Sequence, residues 1–377
     1  MKYRLEATRV TADTHAQTVA PHNLDLTGKT TTLQATAQSL AVSVLDLVAT
    51  RAGEPAGSAI ARSVELARQV EQLGYKRYWV AEHHSIQGLA CSATPVLIGH
   101  IAAATKTIRV GSGGVMLPNH APLVVAEQFG TLEAIYPGRI DLGLGRAPGG
   151  DVQTMRALRR GLPQDGDDFP SLIEELRTYL GPKRPGQVVK AVPGQNSNVP
   201  ITVLGSSGFS AQLAATLGLP FAFAAHLAPD HLHSAAQLYR ERFRPSHALR
   251  EPYLLVAVQV MAAETDAAAR RLFTTPQQRL LRAIRGESAE LLPPVDSIEP
   301  LWHDGERAAV ENRLRAAIVG SDATVLAGLE RLANNTRADE VIVLTETYEH
   351  SDRVDSYRRV ARIAAKILAP TGEAYAG

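Results

Sequence analysis

TIRVGSGGVMLPNHAPLVVAEQFGTLEAIYPGRIDLGL, residues 107–144, is the stretch of the chain that decides the fold. The apolar and β-branched run at 107–117 predicts a strand, and the helical spacing of apolar positions over 121–135 predicts a helix. A second short apolar run at 139–144 predicts another strand. Two strands joined by a helix form a parallel unit, because parallel neighbours need a crossover of this length.

The same alternation continues on both sides of this unit. The eight predicted strands cover residues 40–47, 77–81, 107–117, 139–144, 200–204, 220–224, 253–262 and 340–344. The predicted helices cover residues 58–73, 93–104, 121–135, 168–180, 210–217, 230–243 and 354–368. Eight such units predict an α/β fold, a single (β/α)8 TIM barrel over residues 40–377. A doubly wound open sheet is disfavoured because Asp46, Leu47 and Val48 stand where a glycine-rich dinucleotide turn would be needed.

Two segments lie outside this alternation. Residues 1–39 are expected to form an N-terminal extension outside the barrel, either flexible or covering a barrel end or a neighbouring subunit. Residues 274–313 form an insertion between the seventh and eighth strands. Insertions of this size on barrel loops form either lids or solvent-exposed filler, and the sequence is compatible with both.

The composition argues against several classes of partner. The formal net charge is +1, so bulk charge does not attract the 377-residue chain to nucleic acid or to an anionic membrane. The sequence contains neither a run of about 18 apolar residues nor an apolar signal core, so a cytoplasmic location is expected. Cys91 is the single cysteine, which rules out an internal disulfide and favours a small buried residue.

Histidines follow the second predicted strand, at the end where barrel active sites lie. The strand ends in Glu82, His83 and His84. An imidazole here can act as an acid, a base or a hydrogen-bond donor, although a purely structural histidine is the alternative. Neighbouring strand residues face opposite ways, so the two histidines should not share a metal ion, and no metal is expected. The turn after the third strand should bring Asn119 and His120 to the same rim.

An anion site is predicted at the ends of the fourth and fifth strands. Arg146 follows the fourth strand, and Gly205, Ser206, Ser207 and Ser210 span the turn into the helix after the fifth. An arginine fork, hydroxyl groups and free N–H groups at a helix start suit a phosphate. A plain turn with a helix cap is the alternative for the serines. No G-x-S-x-G turn is present, which argues against a serine hydrolase.

Glycines interrupt the third strand next to Ser112. Gly113 and Gly114 mark either a simple bulge or a place where the backbone approaches a ligand closely. Glu127 lies in the helix that follows, where a solvated surface role is the alternative to a functional one.

Three segments together resemble the luciferase-like flavin monooxygenases. They are YWVAEHH at 78–84, RVGSGGVMLP at 109–118 and YPGRIDLGLGR at 136–146. Their order and spacing carry the resemblance, which extends from about residue 40 to the C-terminus.

The resemblance implies a TIM barrel that receives reduced FMN from a separate flavin reductase. It also implies that O2 oxygenates a small organic substrate through a peroxyflavin, and that the chain is a homodimer. His83 and Glu127 match residues near the flavin, and both are expected to be catalytic. Ser112, Gly113 and Gly114 are expected to bind the cofactor, and Gly113-Gly114 falls where relatives place a cis peptide against the flavin ring. The positions that match the phosphate-binding residues of relatives are Arg146, Gly205, Ser206, Ser207 and Ser210.

Two departures from luciferase limit what the resemblance implies. Gly145 stands where luciferase has a reactive cysteine, and Ser206 replaces a glutamate, so light emission is not implied. Some relatives use the deazaflavin F420 for hydride transfer without O2. An F420-dependent dehydrogenase and a flavin-binding protein without turnover therefore remain alternatives.

Overall fold

A computed structural model describes residues 39–146, 152–158 and 168–368. Eight parallel strands close into a barrel, and a ninth short strand lies beside it. The strands are β1 Ala41–Asp46, β2 Arg77–Val80, β3 Arg109–Met116, β4 Ile140–Gly145, β5 Ile201–Gly205, β6 Phe221–Ala224, β7 Leu254–Ala262, β8 Ile318–Gly320 and β9 Glu340–Leu344. Apart from Ser39, the predicted N-terminal extension lies outside the described residues.

Helices surround the barrel. They are α1 Ala56–Gln72, α2 Thr94–Ala104, α3 Pro122–Ile135, α4 Val152–Leu158, α5 Phe169–Leu180, α6 Gly208–Leu217, α7 Leu232–Arg242, α8 Asp266–Ile284, α9 Asp304–Leu314, α10 Asp322–Thr336 and α11 His350–Ala364. Within the described ranges, no helix has the length and apolar character needed to cross a membrane.

The barrel closes through the pairing of β1 with β9. Val42 is in register with Val341, and β9 in turn pairs with β7, so strands β1 to β7 and β9 form an unbroken parallel ring. β8 pairs with the end of β7 and stays outside the ring. The predicted TIM barrel is confirmed, with β9 as its eighth strand.

Local sequence explains why these elements form. All nine residues of β7 are buried, as expected for a strand covered on both faces. α1 buries Leu66 and Val70 on one face and is followed by Gly74, whose φ of 81° suits glycine and ends the helix as predicted. Cys91 is fully buried, and burial raises the pKa of its thiol to about 12, in agreement with the predicted structural role.

Ion pairs close the N-terminal end of the barrel. Arg77 donates to Glu340 over 2.7 Å and to Asp141 over 2.8 Å, and Arg109 donates to Asp141 over 2.6 Å. Burial opposes the charge on Arg77, but the two carboxylates outweigh burial and raise the pKa of this arginine. These charges pair one another, which indicates a structural role at this end of the barrel.

The segment between β7 and β9 is more ordered than the sequence predicted. The insertion was predicted to begin at Thr274, but α8 continues through Pro276 to Ile284. β8 and α10 also precede β9, and none of the elements α4, α8, α9, β8 and α10 was predicted from the sequence. The predicted insertion itself, between the seventh and eighth barrel strands, is confirmed.

The insertion is fastened across the C-terminal mouth of the barrel. Ala289 donates its N–H to Gln87 over 2.9 Å, and Leu291 donates to Thr50 over 2.8 Å, which joins it to the loops after β2 and β1. At Gly88 an added Cβ would lie 2.4 Å from the backbone of Ala289, so only glycine permits this approach. The insertion is therefore packed against the barrel.

Candidate functional site

A cavity of about 370 Å³ opens at the C-terminal ends of the barrel strands. Its walls come from the ends of β1 to β7 and β9 and from the insertion, which contributes Pro276, Arg279, Leu280, Ala283, Ala289, Arg313 and Leu314. The sequence allowed the insertion to be either a lid or solvent-exposed filler. The structure supports a lid, because these residues enclose one side of the cavity.

His83 lines this cavity directly after β2. Its neighbour His84 turns away and contacts Glu82. The two adjacent imidazoles therefore diverge as predicted, but both lie beyond the end of β2 at Val80, so the alternation of side chains along a strand is not the cause.

Glu82 is the centre of a buried hydrogen-bond cluster that the sequence did not predict. Its carboxylate is 1% exposed and accepts bonds from His84 over 2.9 Å and from His120 over 2.9 Å. Asn119 donates over 3.4 Å, and the N–H of Met116 donates over 3.2 Å. The predicted meeting of Asn119 and His120 at one rim is confirmed, and Glu82 is the group they meet.

The histidines of the Glu82 cluster stabilise the buried carboxylate. Burial would raise the pKa of Glu82, but the hydrogen bonds and charges of His120 and His84 outweigh it and lower the pKa. The ligand atoms of these three residues lie within 4.8 Å of one another, a spacing that could also admit a cation. Hydrogen bonds already account for every contact, and they join the end of β2 to the end of β3.

The predicted anion-binding residues are brought together at one side of the cavity. Arg146, Gly205, Ser206, Ser207 and Ser210 all line it. Ser207 precedes α6 without capping it through its side chain, so the first N–H groups of this helix keep their donor capacity. An added Cβ at Gly205 would lie 2.2 Å from the Ser210 hydroxyl oxygen, so glycine lets this hydroxyl approach the strand end.

The glycine pair in β3 brings backbone to the cavity. The peptide bond between Gly113 and Gly114 is cis, as the resemblance implied. Gly113 lines the cavity, whereas Gly114 is not among the lining residues. Ser112 is fully buried and donates its hydroxyl to the carbonyl of Gly143 over 2.8 Å, so its side chain joins β3 to β4.

Glu127 lies apart from the cavity lining. It is half-buried on α3, and its backbone carbonyl accepts a bond from Thr131 over 2.7 Å. The structure does not bring Glu127 together with His83, and its catalytic role stays a prediction.

His226 is a cavity residue that sequence reasoning missed. It follows β6, and its Nδ1 lies 3.3 Å from the carbonyl of Ala257, which can only accept a hydrogen bond. Nδ1 therefore carries the proton in the neutral ring and leaves Nε2 as an acceptor. Burial lowers the pKa of His226 to about 4, and the charges of Arg313 and Arg279 add to this shift. An isolated histidine after a short apolar strand gave no signal in the sequence.

The lowered pKa of His226 predicts a measurable pH dependence of stability. Below its ordinary value of 6.5 the unfolded imidazole takes up a proton, whereas the folded one stays neutral down to about 4. Stability is therefore lost as the pH falls through this window. Between about pH 7 and pH 5 the wild type should lose about 2 kcal/mol more than His226→Gln, as measured by urea unfolding.

The control for this measurement is His100→Gln, which changes an exposed histidine on α2. This variant should follow the wild type. Equal losses in the wild type and in His226→Gln would contradict the assignment.

An ion pair joins the insertion to the residues that follow β9. Arg279 on α8 contacts Glu346 over 2.9 Å, and Gln259 donates to the same carboxylate oxygen over 3.4 Å. The other oxygen of Glu346 is buried and has no partner among the residues that the structure describes. This oxygen of Glu346 can therefore accept a hydrogen bond from a molecule bound in the cavity.

The chain matches one family model and several known proteins over most of its length. The luciferase-like monooxygenase family model matches residues 40–340. The uncharacterized protein YvbT of Bacillus subtilis (strain 168) is 52% identical over 325 residues, which cover 85% of this chain and 96% of YvbT. A luciferase-like monooxygenase of Escherichia coli (strain K12) is 46% identical over 333 residues, covering 88% of this chain and 99% of the relative.

Solved structures share the same barrel. Apo-MsnO8 is 37% identical with a TM-score of 0.81, and the match covers 88% of this chain and 100% of MsnO8. At 18% identity and a TM-score of 0.66, the oxygenating constituent of 3,6-diketocamphane monooxygenase from Pseudomonas putida, in complex with FMN, matches 89% of this chain and 100% of its own. An F420-dependent secondary alcohol dehydrogenase, at 13% identity and a TM-score of 0.63, matches 87% and 99%. The last two likenesses concern the fold alone.

Proposed function

Since the chain belongs to the family of luciferase-like monooxygenases, we propose that it uses reduced FMN and O2 to oxygenate a small organic substrate in the cavity. A separate flavin reductase would supply the reduced FMN. The observation that carries this proposal is one cavity lined by His83, by Gly113 and by the group Arg146, Ser206, Ser207 and Ser210.

The donor set fits the phosphate of FMN. Arg146 and the hydroxyls of Ser206, Ser207 and Ser210 form no hydrogen bond or ion pair with another residue in the described part of the chain. Arg146 is held by its position 4.4 Å over the ring of Phe209, which leaves the edge of the guanidinium for a ligand. One cation, three hydroxyls and the start of α6 are donors that match a phosphate.

Bound reduced FMN supplies two electrons with which O2 can be activated. The protein's own residues would then act around it. His83 faces the cavity and would hold or donate a proton at its ring nitrogen, a task that suits an imidazole near neutral pH. The insertion excludes bulk water from one side, which strengthens electrostatic interactions within the cavity.

The test is an anaerobic titration of the full-length chain with reduced FMN and, separately, with reduced F420. A pulse of ¹⁸O-labelled O2 then follows in the presence of a substrate library. Tight binding of reduced FMN and transfer of one labelled oxygen atom to a compound would support the proposal. Binding of F420 alone, with no O2 consumed, would refute it in favour of the dehydrogenase.

The phosphate assignment predicts the effect of Arg146→Gln. The variant keeps a polar side chain, which is shorter, but loses the charge, so the dissociation constant of FMN should rise about 10- to 100-fold, the range expected for a charge-assisted contact. Riboflavin, which lacks the phosphate, should bind both proteins alike. Fluorescence titration measures both affinities, and an equal loss for riboflavin would contradict the assignment.

Arg177→Gln is the matched control for this titration. Arg177 lies on α5 and pairs with Glu174 on the protein surface, away from the cavity. Its replacement should leave the FMN affinity unchanged.

A further inference from the structure

One cation of the cavity wall has no counter-ion. Arg313 on α9 lines the cavity and forms no ion pair or hydrogen bond with any other described residue. The neighbouring arginines of this segment are paired: Arg307 contacts Glu311 over 2.9 Å, and Arg315 contacts Asp230. The second of these contacts fixes the end of α9 to the loop after β6. Arg313 is exposed to solvent where it lines the cavity, and no carboxylate of the described residues pairs with its charge.

The other charges of the cavity are already assigned. Arg279 is neutralised by Glu346 over 2.9 Å. The carboxylate of Glu82 is held by two histidines. Arg146 belongs with the serines of the proposed phosphate site, at the ends of β4 and β5. An anionic group other than the phosphate would therefore pair with Arg313, since the other arginines that line the cavity in the described ranges are already assigned.

Two acceptors and an apolar wall define the rest of the ligand. The free oxygen of Glu346 is buried, and Nε2 of His226 is left as an acceptor by the bond of Nδ1 to Ala257. The Glu346 oxygen needs a donor from the bound molecule, because a buried acceptor without a partner costs free energy. Nε2 of the half-buried His226 can accept a bond from the same molecule. Leu280, Leu314 and Phe223 contribute apolar surface between these groups.

We propose that the cavity binds a small organic carboxylate with an apolar body and a neighbouring N–H or O–H donor, and that Arg313 binds its carboxylate group. The proposed function enters only where this ligand is called the substrate, since its binding does not depend on flavin chemistry. Arg313 is in this view a specificity-determining residue that lies on the lid.

The test compares two nearly isosteric probes, N-acetyl-L-leucine and the neutral N-acetyl-L-leucinamide. Isothermal titration of the full-length chain should show the carboxylate binding at least tenfold more tightly than the amide, as a charge-assisted hydrogen bond within a cavity predicts. Arg313→Gln should remove this preference. Arg307→Gln makes the same charge change on the same helix at an ion-paired residue outside the cavity lining, and it should retain the preference.

The outcomes separate this inference from the proposed function. Equal affinities for the two probes, no binding of either probe, or a preference that survives Arg313→Gln would each overturn it. Circular dichroism and the thermal midpoint of Arg313→Gln verify that the variant is folded. A carboxylate preference in a chain that does not bind FMN would support this inference and refute the FMN proposal. FMN binding without a carboxylate preference would support the FMN proposal and refute this inference.

Discussion

His83→Ala is expected to lower kcat for substrate oxygenation at least 100-fold while changing the affinity for FMN little. General acid–base catalysis by a positioned side chain contributes about 10²- to 10⁴-fold to rate, and His83 is the imidazole that β2 presents to the cavity. The groups proposed to bind the phosphate follow other strands, so flavin affinity should be retained. The measurement is single-turnover product formation with the substrate that oxygen labelling identifies.

Two further variants decide what an effect at His83 means. His83→Gln keeps a hydrogen-bond donor but cannot exchange a proton near neutral pH, so it should be nearly as slow as the alanine variant. His100→Ala changes an exposed histidine of α2 and should be as active as the wild type. Full activity of His83→Ala would instead favour the alternative in which the chain binds flavin without using it.

Arg353→Met is expected to lower the free energy of unfolding by about 3–5 kcal/mol, the range for one broken partner of a buried pair. Arg353 donates to Asp46 over 2.8 Å, and the carboxylate of Asp46, which is 1% exposed, also accepts a bond from Tyr78. Burial would raise the pKa of Asp46, but the charge of Arg353 and the hydrogen bonds to the carboxylate, including that of Tyr78, together lower it. Without the arginine a carboxylate remains buried without its counter-charge. Urea unfolding measures the loss.

The controls for Arg353 use a second arginine on the same helix. Arg358 pairs with Asp355 over 3.1 Å at the surface of α11, and Arg358→Met should cost less than about 1 kcal/mol. Adding Asp46→Asn to Arg353→Met should restore part of the stability, because it removes the unpaired charge. A loss at Arg353 no larger than that at Arg358 would contradict the structural role of the pair.

Short-range periodicity was sufficient to predict most of the barrel. The strand predicted at 340–344 has the bounds of β9 in the structure, and the strand predicted at 253–262 begins one residue before β7. The failures have separate causes. β8 has three residues, too few for an alternating pattern. α10 carried a readable signal in Val325, Leu329 and Ala333 at helical spacing, but the prediction passed over it.

The candidate site was predictable only in part. A strand end predicts that His83 and its neighbours reach the mouth of the barrel, and a helix start after β5 predicts donors for an anion. These signals are local. Nothing local indicates that His120 reaches Glu82, that His226 faces the same cavity, or that Arg279 meets Glu346 across the mouth.

The sequence by itself thus determined the parallel barrel, since its strands and helices follow from periodicities of two and 3.6 residues. Tertiary structure alone decided which distant groups neutralise one another. Asp46 and Arg353 are 307 positions apart and become partners only when β9 closes the ring beside β1. Closure of the barrel also positions the insertion against its mouth. Arg313 has no counter-ion there because the fold places no carboxylate of the described residues within reach of it.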